Sequence, residues 1–555
     1  DALDIIDRDE ENCNFDLKKI ITGIDKPGFE LFEKKINYFN KKLDLAQKEA
    51  VRKALYSSSI SIIQGPPGTG KTNVIIEIIQ QIILENRLHP ELPSKKVLIV
   101  SQSHPAVDKM VSDLNEQFKN LPNIIRIGRG DKISEEINEL CGLESVQTSW
   151  VEKIKTECVK NVKILCSKLN IDYEVMKKYV DIKNKESICD EKITDIETHM
   201  KLSIENKLKT PLANKYSKII ELQLNWMEQL ETSNETELYQ IKSADIIAGT
   251  CVGFLSNKFV KDLNFDYVII DEAAKATFPE LAISLNKASK IILVGDHKQL
   301  PPVLDDEIIN AHPNDLDRSN LDTGLFERIY EIFPKENKQI LSTQYRMHPV
   351  IGTMISKVFY DNEIQNGVSA LERNCEIIGY ENIALEWIST SKMAVNRRNE
   401  QVHGKKSTRT YKNDLECKII KNKLLEINKN CTQRKRVAII TAYSGQKYSI
   451  DNIVKELNLP NLDIEINTVD AFQGNQKDII LYSTVRSNKS HYIGFLKHKA
   501  RLNVAFSRAK TLLIIIGDMD FLYRPEIKGN KFPEIIDYFK SEKGCRIVEY
   551  LEKGN

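Results

Sequence analysis

The stretch from Ile60 to Thr72, ISIIQGPPGTGKT, constrains the fold more than any other part of the chain. Its apolar start predicts a buried strand, its glycine- and proline-rich middle a loop, and the Ile-rich residues that follow an amphipathic helix. The loop fits the pattern G-x-x-x-x-G-K-[ST], and its residues are Gly65, Pro66, Pro67, Gly68, Thr69, Gly70, Lys71 and Thr72. In this pattern backbone N–H groups and Lys71 hold phosphates, and the Thr72 hydroxyl holds Mg²⁺. The alternative is a tight strand-to-helix turn without a ligand, which the matching strand and helix disfavour.

Length and composition set the limits of the prediction. A chain of 555 residues is too long for one core, so two to four domains are expected. The net charge of +1 excludes a global basic field, and no apolar run approaches the ~18 residues of a membrane helix. Ten scattered cysteines without a C-x-x-C pair indicate a reducing compartment, so we expect a cytoplasmic protein, or a nuclear one in a eukaryote.

The N-terminus shows no targeting signal. It begins with Asp1 rather than Met and lacks the basic and apolar regions of a signal peptide. We therefore expect a fragment or a processed form of a longer chain, in which residues 1–40 are a weakly patterned lead-in.

Two further strands end in polar residues that suit a phosphate loop. The apolar run Tyr267–Ile270 leads into two carboxylates, where Asp271 would hold Mg²⁺ and Glu272 would activate the attacking water. The next strand, from Lys290, ends near Gln299, whose amide could sense the γ-phosphate and orient water. Upstream of the loop, Gln47 carries both a donor and an acceptor, as recognition of an adenine edge requires.

A second α/β layer follows the first without a second phosphate loop. The strands of this second layer begin near Lys338 and continue to Ile516. The layer also contains Arg346, which lies beside an aromatic residue, and Arg508, which precedes the last strand. This arrangement predicts an ATP site in a cleft, in which both arginines reach the γ-phosphate. Surface salt bridges are the alternative interpretation of these arginines.

Two segments allow more than one interpretation. Residues 151–240 contain no Gly or Arg, and their balanced charges and helical spacing predict an insertion with solvated faces, which could also receive a protein partner. An iron–sulfur site in or near this region is a weaker alternative to ordinary thiols, and the cysteines concerned are Cys141, Cys158, Cys166 and Cys189. Between Lys392 and Lys412, seven basic residues and one acid could grip a phosphate backbone or form a solvated loop.

The motifs GPPGTGKT, DEAA, GDHKQLPP, QYRMHP, VDAFQG and RLNVAFSRAK occur in this order. The chain therefore resembles superfamily 1B helicases, most closely the nonsense-mediated-decay-helicase-like group. The resemblance covers about residues 41 to 520. It implies two tandem RecA-like domains of the P-loop NTPase class with a helical insertion in the first. It also implies 5′-to-3′ translocation on single-stranded RNA or DNA, with ATP and Mg²⁺ as cofactors.

The resemblance assigns roles to individual residues. Gln47 would read adenine and Tyr345 would stack on it, with Gly474 and Gln476 in the nucleotide-contacting loop. Strand-end segments would line the nucleic-acid path at Ser103, Thr250, Pro302, Thr441 and Thr468. The expected domains are residues 41–335, with the insertion at about 145–242, and residues 336–555.

The chain departs from the family pattern in places, and a different function remains open. Lys275 stands where the family commonly has Gln, and Gln476 stands where it usually has Glu. Neither departure touches the central catalytic set, so we expect an active ATPase. The alternative to a translocating helicase is an ATPase switch in a regulatory or defence complex, with weak nucleic-acid stimulation. A small-molecule kinase is disfavoured, because it needs no second arginine-bearing α/β domain.

Overall fold

A computed structural model describes residues 17–30, 35–118, 122–189, 194–232, 235–302, 324–404, 409–472 and 476–552. The chain divides into two compact units. The larger contains residues 1–117, 250–252 and 264–555, and the smaller contains residues 118–249 and 253–263.

The phosphate loop lies between the first strand and a long helix of the larger unit. The elements here are α1 (Leu17–Thr22), α2 (Leu45–Tyr56), β1 (Ile60–Gln64), α3 (Lys71–Leu88), β2 (Val97–Ser101) and α4 (His104–Gln117). All five residues of β1 are buried, as are all six isoleucines of α3. The apolar run therefore forms a central strand, because both of its faces are covered.

The smaller unit contains the helical insertion. Its elements are β3 (Ile124–Arg126), α5 (Glu135–Cys141), α6 (Leu143–Lys168), α7 (Tyr173–Cys189), α8 (Asp195–Lys207), α9 (Pro211–Thr232), α10 (Glu235–Ser243), β4 (Ile246–Thr250) and α11 (Lys258–Lys261). Val162, Met176 and Ile220 pack in one apolar core of this unit. In the described part of the chain, no helix is long and apolar enough to cross a membrane.

The chain then completes the first sheet of the larger unit. The prediction that the second layer begins near Lys338 was wrong, because Lys338 pairs with Ile62 of β1 at the edge of this first sheet. The elements are β5 (Phe265–Asp271), α12 (Phe278–Leu285), β6 (Ala288–Gly295), α13 (Leu325–Ile332) and β7 (Lys338–Ile340). In the larger unit the strand order is β2-β5-β6-β1-β7, and all four neighbouring pairs are parallel. Gln64 pairs with Gly295, so the phosphate loop and the polar residues after β5 and β6 emerge at the same edge.

The second half of the larger unit forms its own parallel sheet. Its elements are β8 (Thr343–Gln344), α14 (Pro349–Phe359), β9 (Gln365–Asn366), β10 (Leu385–Ser389), α15 (Val395–Arg398), β11 (Gln401–His403), β12 (Thr410–Lys412), α16 (Asp414–Asn430), β13 (Lys435–Thr441), α17 (Ser444–Lys455), β14 (Leu462–Thr468), β15 (Lys477–Ser483), α18 (Lys499–Phe506), β16 (Ala509–Gly517), α19 (Met519–Leu522), α20 (Phe532–Ser541) and β17 (Cys545–Glu549). The six-stranded order is β14-β13-β15-β16-β10-β17. Separate apolar clusters pack on its two faces, one around Trp387 and the other around Leu424. The predicted α/β class with two RecA-like domains is confirmed.

Candidate active site

The phosphate loop has a backbone that only glycine adopts easily at two positions. Gly68 has a φ of +77° and Gly70 a φ of +80°. A Cβ at Gly68 would lie 2.5 Å from Cβ of Arg346, so this glycine also permits close approach of the second RecA-like domain. Gly70 is the N-cap of α3 and has no side chain to cap the helix. The N-terminal N–H groups of α3 are therefore suited to bind an anion such as a phosphate.

Glu272 lies between two lysines. Nζ of Lys71 is 3.8 Å from one carboxylate oxygen of Glu272, and Nζ of Lys275 is 3.0 Å from the other. Lys71 also donates a hydrogen bond to the Gly65 carbonyl at 3.0 Å. Burial raises the pKa of Glu272, but Lys71, Lys275 and Arg508 outweigh it and hold this pKa below its ordinary value. Glu272 is therefore deprotonated at neutral pH, as a general base must be.

Asp271 has the features of a metal ligand. Its Oδ1 is buried and has no hydrogen-bond partner in the part of the chain that the structure describes. Burial and the neighbouring charge of Glu272 raise the pKa of Asp271 to about 6. A buried acceptor of this kind fits Mg²⁺, which prefers hard oxygen ligands. Thr72 lies at the same cavity, so its hydroxyl and the Asp271 carboxylate are suitable donors for the ion.

The second RecA-like domain contributes two arginines, of which Arg508 is buried and Arg346 is half-buried. Arg346 donates to the Ser507 carbonyl at 3.2 Å, and burial, with the nearby charge of Arg508, lowers the pKa of Arg346 to about 9. Burial likewise lowers the pKa of Arg508, although the charge of Glu272 opposes this shift. Nε of Arg508 is buried without a hydrogen-bond partner among the described residues. Such desolvated cations are suited to bind a highly charged anion, because that anion would compensate the cost of their burial.

Gln47 and Tyr345 are linked through Asp44. The Asp44 carboxylate accepts from the Gln47 backbone N–H at 2.8 Å and from the Tyr345 hydroxyl at 2.8 Å. The Gln47 side chain accepts from the Asp44 N–H at 3.0 Å and donates to the Thr69 carbonyl at 2.9 Å. Among the described residues, one amide N–H of Gln47 has no acceptor and is available to a ligand. The two predicted adenine contacts therefore lie together, although they come from different domains.

One cavity of about 730 Å³ brings most of the predicted site residues together. Its lining includes Gln47, Pro66, Pro67, Gly68, Thr69, Gly70, Lys71, Thr72, Asp271, Glu272, Gln299, Tyr345, Arg346, Gln476 and Arg508. Gly65 adjoins this cavity through its contact with Lys71. Gly474 lies outside the described residues. A cavity of this size accommodates a nucleotide, and both RecA-like domains contribute to its walls.

Sequence reasoning missed several basic residues of the cavity, among them Arg373 and Lys510. Arg373 donates to the carbonyls of Tyr345 at 2.6 Å and Arg346 at 2.9 Å, and so fixes the backbone that carries both side chains. It follows an irregular segment, and no motif points to it. Lys510 also lines the cavity, and its position two residues after Arg508 was a signal that could have identified it.

The predicted nucleic-acid residues are distributed over two sheet edges. Ser103 is exposed but lines the nucleotide cavity. Thr250 is the last residue of β4, and the backbone N–H of the next residue, Cys251, donates to the Ser101 carbonyl. On the second sheet Thr441 pairs with Thr468 at the ends of β13 and β14. Thr441 is fully buried, so its hydroxyl is not at the surface in this conformation. Pro302 and Thr468 are half-buried.

The structure also bears on the segments that allowed two interpretations. In the basic segment, Arg397 pairs with Glu552 at 2.6 Å and Arg398 with Asp518 at 3.3 Å. These two arginines therefore have structural partners, while Lys405 and Lys406 lie outside the described residues. In the helical unit Cys158 and Cys166 are buried. Among the described residues, no three His, Cys, Asp or Glu side chains are grouped to hold a metal.

The proteins that this chain resembles include ATP-dependent helicases, as expected from a site suited to bind ATP. Two domain models described as AAA domains match residues 42–307 and 321–520. An uncharacterized ATP-dependent helicase of Methanocaldococcus jannaschii is 30% identical over 548 residues, which cover 95% of this chain and 74% of the relative. Helicase sen1 of Schizosaccharomyces pombe is 30% identical over 521 residues, covering 87% of this chain and 29% of the relative.

A third relative extends this pattern. ATP-dependent helicase upf1 of Schizosaccharomyces pombe is 30% identical over 495 residues, covering 86% of this chain and 44% of the relative. The chain thus spans less than half of the two S. pombe relatives. The two domain matches include both RecA-like domains, and the archaeal match covers nearly the whole chain. The chain therefore belongs to the superfamily 1 helicases, in the nonsense-mediated-decay-helicase-like group.

Proposed function

We propose that this chain hydrolyses ATP between its two RecA-like domains and uses the cycle to move 5′-to-3′ along single-stranded nucleic acid. The observation that carries the proposal is the composite cavity, where the phosphate loop and Glu272 face Arg346 and Arg508. A site assembled from two domains is complete only when they are close together. Hydrolysis and product release can then separate the domains, which converts chemistry into motion.

Each group has a chemical task in the hydrolysis. The phosphate-loop N–H groups and Lys71 bind the β- and γ-phosphates. Thr72 and Asp271 would hold Mg²⁺, which neutralises charge on the phosphate oxygens when bound. Glu272 takes a proton from the attacking water. At the same time the oxygen of that water bonds to the γ-phosphorus, and the bond from the γ-phosphorus to the oxygen that bridges it to the β-phosphate breaks. Arg346 and Arg508 stabilise the charge on the transferred phosphoryl group, a contribution worth ~10³ to 10⁵ in rate for one such arginine.

The polymer would lie along the strand ends beside this cavity. Ser103 and Thr250 mark the edge of the first sheet, and Thr468 marks the corresponding edge of the second. We propose that a single strand contacts both edges, so that opening and closing of the ATP cleft change how tightly each domain binds the strand. The exposed helical unit is the proposed site for a protein partner, and its faces carry exposed apolar residues such as Leu222 and Trp226.

The experiment that tests this function is the steady-state ATPase rate without nucleic acid and with single-stranded RNA, single-stranded DNA or duplex at low salt. We expect strong stimulation by at least one single strand and little by duplex. The preferred single strand would identify the track. Hydrolysis that no single strand stimulates would contradict translocation and favour the ATPase switch.

A further inference from the structure

A buried polar network connects the two RecA-like domains beside the ATP cavity. Asp296 and Gln299 come from the segment after β6, and Tyr360 and Asn503 come from the second domain. All four side chains are at most 4% exposed. Interactions among them are therefore protected from water, and losing one would leave a buried polar atom unpaired.

Asp296 is the acceptor at the centre of this network. The same carboxylate oxygen, Oδ2, accepts from Nε2 of Gln299 at 2.7 Å and from the hydroxyl of Tyr360 at 2.6 Å. Gln299 lines the ATP cavity, whereas Tyr360 lies in the apolar core of the second domain. The orientation of Gln299 therefore depends on an acceptor that the other domain also holds.

Asn503 extends the network toward Arg508. Its amide donates to the Tyr360 hydroxyl at 2.8 Å and to the Lys298 carbonyl at 2.9 Å, so it bonds both domains. Asn503 lies in α18, and the same segment continues directly to Arg508. Gln299 on one wall of the cavity and Arg508 on the other are thus connected through Tyr360.

We propose that Tyr360 is a positioning residue of the ATPase, which holds Gln299 in its working orientation only while the two domains are together. The hydroxyl acts in two directions, donating to Asp296 and accepting from Asn503. Separation of the domains would break the bond between Tyr360 and Asp296, so the carboxylate that orients Gln299 would no longer be fixed from the second domain. This inference rests on the proposed function, since Gln299 matters only if ATP reacts in this cavity.

The test is the Tyr360→Phe variant, which keeps the ring in the core and removes only the hydroxyl. We expect kcat for ATP to fall roughly tenfold with little change in KM, because the phosphate contacts of the first domain stay intact. The matched control is Tyr538→Phe. Tyr538 belongs to the same apolar cluster and donates to the Val350 carbonyl at 2.9 Å, and its variant should leave kcat unchanged.

A double-mutant cycle distinguishes positioning from general damage. If Tyr360 acts through Gln299, the Tyr360→Phe/Gln299→Ala double variant should be no slower than Gln299→Ala alone. Effects that multiply, or a wild-type kcat in Tyr360→Phe, would overturn the proposal. Should thermal unfolding show that Tyr360→Phe is misfolded, Asp296→Leu removes the shared acceptor at nearly constant size, and a fall in kcat at least as large is expected.

The double-mutant cycle is measured with basal ATP turnover as well as with turnover stimulated by single strands. A wild type that hydrolyses ATP without stimulation by single strands would contradict the proposed translocation, yet the Tyr360 result would still stand on basal kcat. A wild type without any ATP hydrolysis would overturn both.

Discussion

Glu272 is held in a conformation that residues other than glycine seldom adopt. Its φ is +55°, and it directly follows the last residue of β5. Backbone strain of this kind is concentrated at functional sites, where the surrounding structure maintains it. Here the strain places the carboxylate between Lys71 and Lys275 at the wall of the cavity. The residue predicted to be the base is thus both fixed in position and kept deprotonated.

Replacing Glu272 with Gln should strongly reduce turnover without loss of ATP binding. The amide cannot accept the proton from water, so kcat should fall by roughly 10²-fold or more. Binding should persist because the substitution removes a negative charge near the phosphates. Steady-state turnover and the affinity for a fluorescent ATP analogue would measure the two effects separately.

The exposed Glu91→Gln variant is a control that should behave as wild type. Turnover by Glu272→Gln near the wild-type rate would show that another group is the base.

Lys275 shows what a family pattern cannot anticipate. Lys275 stands where the family commonly has Gln. The sequence alone showed only that this position departs from the family pattern and lies outside the central catalytic set. In the structure its side chain is buried, 3.0 Å from the base, and contributes to the low pKa of Glu272. The identity of the residue was visible in the chain, but its distance to Glu272 depends on the turn after β5.

At the scale of single elements, α18 joins the two domains at the site. It carries Asn503, which bonds the first domain, and leads to Arg508 at the cavity. Since Arg508 lies on this segment, its distance from the phosphate loop depends on how closely the domains approach. We therefore expect Arg508 to contribute to catalysis far more than to nucleotide capture.

Replacing Arg508 with Ala should reduce kcat by ~10³ or more and change nucleotide affinity only a few-fold. The reason is that the phosphate loop binds the nucleotide, while the arginine stabilises charge that develops in the transition state. Single-turnover hydrolysis and equilibrium nucleotide binding would separate these effects.

Arg436→Ala provides the comparison, because Arg436 is exposed and pairs with Asp478 at 3.1 Å outside the cavity. Normal hydrolysis in Arg508→Ala would rule out the composite cleft.

The elements also show which strands a sequence can predict. Central strands such as β5 and β16 are continuous apolar runs, and their prediction is confirmed. The fully buried β10 was missed because Glu386 interrupts its apolar pattern. Arg546 at 2.7 Å and Lys423 at 3.2 Å neutralise this carboxylate. Both come from elements distant in sequence, so no local pattern could show that Glu386 is tolerated.

At the scale of the whole molecule, the motifs predicted the members of the site but not their connections. The phosphate loop, the paired carboxylates and the arginines have recognisable local patterns, and the structure gathers them at one cavity. The network of Asp296, Tyr360 and Asn503 joins residues far apart in the chain. Such contacts depend on packing between domains, which single-sequence patterns do not contain.

Hydrolysis in the composite cleft should drive movement in one direction along a strand. ATP-dependent displacement of streptavidin from single strands biotinylated at either end would measure this movement. We expect displacement from the 3′ end, none from the 5′ end, and none by Glu272→Gln. Displacement from the 5′ end, or none from either end despite strand-stimulated hydrolysis, would contradict 5′-to-3′ movement.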